Sequence, residues 1–96
     1  MNMLQSLKIL NLEGNRIEKI SHLDSVSESL EVLNLGDNRI LRIDGMQNCT
    51  RLKKVILKGN QITCFEGFNN QIHLTDLDLT NNRICRIAQD RGLGNL

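Results

Sequence analysis

Four asparagines, Asn15, Asn38, Asn60 and Asn82, stand 23, 22 and 22 residues apart, and this spacing constrains the chain more than any other feature. Each one closes the same kind of apolar run. Asn15 follows Leu7, Leu10 and Leu12 and precedes Ile17 and Ile20. Asn38 follows Leu30, Leu33 and Leu35 and precedes Ile40 and Ile43. Asn60 follows Leu52, Val55 and Leu57 and precedes Ile62 and Phe65. Asn82 follows Leu74, Leu77 and Leu79 and precedes Ile84 and Ile87. The form L-x-x-L-x-L-x-x-N-x-I-x-x-I thus recurs four times, with Val55 and Phe65 as apolar substitutes.

Strand side chains alternate between faces, so Leu10 and Leu12, and their equivalents in each copy, point to one side. No single copy can bury that side alone. Stacked copies can, as a parallel sheet with strands about 4.8 Å apart. Ile17, Ile20 and their equivalents fill the core from the other side, followed by Leu23, Met46 and Phe68, then Val26 and Cys49. A chain leaving a strand sharply exposes backbone amides and carbonyls inside the protein, and an asparagine amide supplies both donors and an acceptor for them. Asn15, Asn38, Asn60 and Asn82 are therefore expected to form an internal ladder, each lost bond costing about 1 kcal/mol. Gly14, Gly36 and Gly59 are expected to serve the turn after each strand. The one extra residue between the first two copies falls within Asp24 to Ser29, a polar segment expected to loop out on the convex or edge side.

Such a repeat is a leucine-rich repeat pattern. The 22-residue period, with Ile43-Asp44-Gly45-Met46 and Phe65-Glu66-Gly67-Phe68 after the core motif, resembles one class of these proteins. That class is typified by the leucine-rich repeat regulatory subunit of protein phosphatase 1 and includes the light chain of axonemal outer-arm dynein. The resemblance covers residues 4 to 88. It implies an α/β-type, right-handed solenoid with a concave parallel sheet of four short strands and 3-10, helical or irregular convex segments. Residues 1–96 would form a single domain, with repeats at about 7–29, 30–51, 52–73 and 74–96. It also implies a protein-protein interaction module, an adaptor or regulatory subunit. The competing reading is a structural subunit or fragment of a larger ciliary, cytoskeletal or nuclear assembly.

Composition narrows the functions. Net charge is +1, which provides no long-range field for nucleic acid or anionic membrane. Phe65 and Phe68 are the only aromatics, leaving little for base stacking. No apolar run approaches the roughly 20 residues of a membrane span. The first residues lack the basic start and apolar stretch of a signal peptide. Cys49, Cys64 and Cys85 match neither a zinc nor a redox spacing, and free thiols suit a reducing compartment. The expected location is intracellular and cytoplasmic, with ciliary or nuclear variants. His22 and His73 are far apart and have no acidic or cysteine cluster at ligand spacing. Asn48-Cys49-Thr50 matches a glycosylation sequon, but Cys49 falls at an inward position. No nucleophile with a positioned base and no phosphate-cradling loop is present. The chain is read as a non-enzyme without catalytic, cofactor or metal residues.

The outward strand positions line the concave side, where such architectures bind partners. One column holds Ile9, Val32, Lys54 and Asp76; the next holds Asn11, Asn34, Ile56 and Asp78; a third holds Glu13, Gly36, Lys58 and Thr80. Lys54 and Asp76 lie on neighbouring strands and are expected either to pair laterally or to join a docking strip of Ile9, Val32 and Ile56 rimmed by Lys58 and Asp78. A basic column of Arg16, Arg39 and Arg83, beside Lys19, Arg42 and Arg86, is read as long stems covering core with heads in water. The repeat decays after Ile87, where Asp90 takes the place of Met46 and Phe68. Self-association, or capping by a longer chain, is the expectation for such ends.

Overall fold

The computed structural model describes residues 6–68 and 70–87. Three-residue strands fall where the repeat places them: β1 at Ile9–Asn11, β2 at Val32–Asn34 and β3 at Lys54–Ile56. A two-residue β4 follows at Cys64–Phe65, then β5 at Asp76–Asp78 and β6 at Arg86–Ile87. The main sheet is parallel in the order β1-β2-β3-β5, and equivalent repeat positions face one another: Ile9 with Val32, Val32 with Lys54, Lys54 with Asp76. Parallel neighbours need a crossover of a dozen or more residues. The repeat supplies one in every turn, and that return path makes the stack a solenoid.

The inner side of the sheet and the return path enclose one core. Leu33, Val55 and Leu57 are fully buried, as are Leu30, Leu52, Ile40 and Ile62 from the entry and exit of the strands. Ile43 and Met46 sit almost as deep, and Cys49 is completely covered. Burial falls away from the middle of the stack. Leu10, Leu12 and Ile17 of turn one, and Leu77, Leu79 and Ile84 of turn four, are only partly covered. Each outer turn has a neighbour on one side alone among the described residues.

The return path differs from expectation in three places. First, while the near-absence of helix among the described residues falls within the expected irregular alternative, the far side also carries an unexpected second parallel sheet of β4 and β6. Second, Asp24–Ser29 is a run of tight turns rather than a loop thrown outward. Val26 and Ser27 are buried, and the Ser29 hydroxyl donates to the Leu7 carbonyl at 2.7 Å. Third, the left-handed residue before the ladder asparagine of turn two is Asp37, with φ 53°, not Gly36. Asparagine and aspartate tolerate this conformation better than other side chains, so the glycine one position earlier is free for another purpose.

The asparagines hold the turns in contact, but not equally. Asn60 donates through Nδ2 to Leu57 O at 2.9 Å in its own turn and to Leu35 O at 3.0 Å in the turn before. Its Oδ1 accepts the Ile40 amide at 2.9 Å. Asn38 and Asn82 repeat the arrangement with Leu12 O and the Ile17 amide, and with Leu57 O and the Ile62 amide. Asn15 departs from the expected internal ladder. It is exposed, and among the described residues it bonds Leu12 O and Glu13 O of its own turn. A polar residue also enters the core column of Val26 and Cys49. Gln71 is buried there, and its amide donates to Met46 O at 2.7 Å.

This gradient sets different costs for chemically similar substitutions. Leu57→Ala should lower the unfolding free energy by about 2–5 kcal/mol, whereas Leu12→Ala at the partly covered first turn should cost distinctly less. Asn60→Ala should cost about 1–3 kcal/mol, since it orphans buried groups in two turns, and Asn15→Ala under about 1 kcal/mol. Urea unfolding of the four variants measures all of these differences.

Candidate partner-binding face

The outward side chains of β1, β2, β3 and β5 share one face, and the sheet register places them in the columns the repeat defines. Ile9 is 65% exposed, Val32 is half-buried, and Lys54 and Asp76 are exposed. In the next column Asn11 is exposed, while Asn34, Ile56 and Asp78 are half-buried. A shallow depression of about 380 Å³ spans turns three and four, lined by Lys54, Ile56, Thr75, Asp76 and Asp78.

Hydrogen bonding divides the second column. Asn11 Oδ1 accepts the Glu13 amide at 3.0 Å, and Asn34 Oδ1 accepts the Gly36 amide at 2.9 Å. Asp78 Oδ1 accepts the Thr80 amide at 3.0 Å and the Thr80 hydroxyl at 2.6 Å. These are Asx turns, in which a short side chain mimics the backbone two residues on. Three of the four residues thus close the bend after their strand with the same oxygen that a partner would otherwise meet. Ile56 has no group able to do this, and it presents an apolar side chain at the one point where the column abandons the cap.

The charges are arranged differently from the expected lateral pair. Lys54 and Asp76 are register partners, yet no ion pair joins them among the described residues. Lys53 instead reaches Glu31 of the preceding turn at 3.4 Å. Lys58 reaches Glu13 at 3.7 Å, passing over turn two. Gly36 lies between them in the same column, and a Cβ there would stand 3.2 Å from Glu13 Oε1 and 3.3 Å from Lys58 Cγ. The missing side chain makes room for the bridge. On the far side Arg42 pairs with Glu66 at 3.5 Å, tying two turns of the basic column together.

Hydrogen bonds from Thr80 hold the Asp78 carboxyl below its ordinary range, helped by the charges of Lys58 and Lys54. Cys49 is pushed the other way, by burial and by the nearby charge of Asp24. Cys64 and Cys85 are free thiols. His22 and His73 are exposed. Among the described residues no three His, Cys, Asp or Glu side chains cluster as a metal site, and no helix is long and apolar enough to cross a membrane. The Asx caps and the Glu13–Lys58 bridge escape sequence reading. The only available signal was Asn, Asn and Asp recurring two residues before the bend.

Stacked short strands with an open outer face define a repeat solenoid whose large accessible surface is the sheet itself. Family models identify the repeats directly. One described as leucine-rich repeats in two copies matches residues 28–70, and single leucine-rich repeat models match residues 6–26 and 70–84. Together they cover residues 6 to 84 except residue 27. The chain belongs to the leucine-rich repeat proteins, whose repeats are generally protein-protein interaction modules. No curated protein matches it. The matched models indicate no enzymatic family.

The lowered Asp78 carboxyl has a consequence for acid behaviour. Its folded pKa lies below the unfolded value, so its contribution to stability is present above the ordinary aspartate range. That contribution is lost as pH falls through the lowered value. In a carboxyl-detected NMR titration Asp78 should protonate below the ordinary aspartate range, and Thr80→Val should move it back toward the ordinary value.

Proposed function

We propose that this chain is an adaptor or regulatory subunit that binds a protein partner across its concave sheet. The docking strip is Ile9, Val32 and Ile56, flanked by Lys54, Lys58, Asp76 and Asp78. Asn11 and Asn34 lie within the strip, and with Oδ1 committed to the bend they would offer Nδ2 as a donor. Ile56 carries the reading, because it replaces a turn-closing side chain with a half-buried apolar one that lines the depression. Lys54 and Asp76 add to it. They stand in register without pairing, so each can meet an opposite charge on a partner, which favours register and selectivity more than raw affinity.

The 22-residue period supports placement with the regulatory and light-chain type of leucine-rich repeat protein. The free thiols are compatible with a cytoplasmic or nuclear setting. A role as a structural subunit of a larger assembly has support of its own in Leu41, Ile72 and Ile87, large apolar side chains exposed away from the concave strip.

Co-purification from the source cell tests the first reading. Ile56→Lys with Lys54→Glu should abolish recovery of the partner while thermal melting stays cooperative. For a side chain central to an interface the loss corresponds to about 2 kcal/mol, roughly 30-fold in affinity. Arg83→Glu on the far side should leave recovery intact. A partner retained by the concave double variant and lost with Arg83→Glu would move the interface to the other side.

A further inference from the structure

The concave face changes chemistry from turn to turn in a fixed order. Its first column runs Ile9, Val32, Lys54 and Asp76, held opposite one another by the strand register. Exposed Ile9 and half-buried Val32 make an apolar half, and exposed Lys54 and Asp76 make a charged half. Lys53 and Lys58 already meet Glu31 and Glu13, whereas no ion pair takes up Lys54 or Asp76 among the described residues. β2 and β3 are bonded to a strand on each side. A partner crossing this face therefore cannot join their ladders and has to be recognised through side chains.

The spacing of the column selects the form of that partner. Neighbouring strands stand about 4.8 Å apart, so the three steps from Ile9 to Asp76 cover about 14 Å. An extended segment laid along the stack spaces its same-side residues about 6.6 Å apart and covers about 20 Å in three steps. It falls out of register by more than one strand. A helix rises about 1.5 Å per residue, so positions i, i+3, i+7 and i+10, which share one face, cover about 15 Å. Only the helix keeps one side chain over each of the four strands. The positive end of its backbone dipole is favoured beside Asp76 and Asp78, which sets its direction.

We infer that the occupant of the concave strip is an amphipathic α-helix of the partner, laid along the stack with its N-terminus at turn four. This rests on the reading of that strip as the partner site. The helix carries a basic residue at i, an acidic one at i+3 and apolar ones at i+7 and i+10. The basic residue meets Asp76, the acidic one meets Lys54, and the apolar pair covers Val32 and Ile9. Exchanging the two charges on the helix sets like against like at both places, so the order of the residues, beyond amphipathicity alone, selects the partner.

The probes are designed peptides of about 20 residues, long enough to be helical in isolation when alanine-rich. The matched peptide has Lys, Glu, Leu and Leu at i, i+3, i+7 and i+10; the swapped peptide exchanges Lys and Glu. In fluorescence titrations the wild-type chain should bind the matched peptide about tenfold more tightly than the swapped one. The K54E/D76K chain should invert that preference, and the inversion itself shows that the variant is folded. The matched peptide with proline at i+5, on the side facing away from the sheet, should lose binding because its helix is broken. Equal affinity for the two peptides, or a preference that the charge reversal leaves unchanged, overturns the proposed order. Undiminished binding of the proline peptide overturns the helix. Binding of no peptide, while the concave double variant still loses the co-purifying partner, removes the helix and leaves the strip standing as the partner site. Binding of no peptide with that partner retained overturns both.

Discussion

A buried asparagine amide shared between two turns is the interaction on which this structure depends. Asn38 and Asn60 each serve three carbonyls and one amide around the sharp exit from a strand. Without that service, the bend would bury orphaned polar groups at about 1–3 kcal/mol apiece. With it, the strand can stop after three residues and the chain can return underneath. The leucines then meet in one core because the bends are stacked. The turns are therefore not independent units that happen to touch; each completes the polar bonding of its predecessor.

That dependence explains the uneven burial. Leu33, Val55 and Leu57 are fully covered, whereas Leu10 and Leu77, chemically equivalent in the repeat, are not. Stability in such a stack is carried by intrinsic terms and by interfaces between neighbours. The two middle turns have both interfaces, and the outer turns have one each among the described residues. The concave strip crosses this boundary. Ile56 rests on the well-buried third turn, while Asp76 and Asp78 belong to the less covered fourth. The acidic end of the strip thus rests on a less covered turn than Ile56 does.

Most of the fold was legible from apolar spacing because the period of the leucines and the position of the asparagine leave little freedom. Strand positions, register and core follow from which residues must face inward. The columns of the concave face follow as well, since they are the residues in between. What periodicity does not encode is the choice among polar partners. Asn11, Asn34 and Asp78 read as available surface, but their oxygens turn back to the bend. Lys54 reads as the natural partner of Asp76, but the lysines that find acids are Lys53 and Lys58. The second sheet of β4 and β6 was equally hidden. Its residues, Cys64–Phe65 and Arg86–Ile87, belong to the apolar return path and carry no alternation that separates a two-residue strand from an irregular one.

The bridge from Glu13 to Lys58 gives the stack a property that a ladder of nearest neighbours lacks. As an exposed pair it adds only about 0–1 kcal/mol, so its weight lies in what it connects. It makes the side-chain position of turn three answer to turn one, with turn two as a silent spacer whose glycine keeps the path clear. Lys58 borders the strip proposed for partner binding, while Glu13 sits in an outer, partly covered turn. A fluctuation that opens the first turn frees a cation forty-five residues away in sequence. Gly36, which carries no side chain, is what leaves the path between the two charges open.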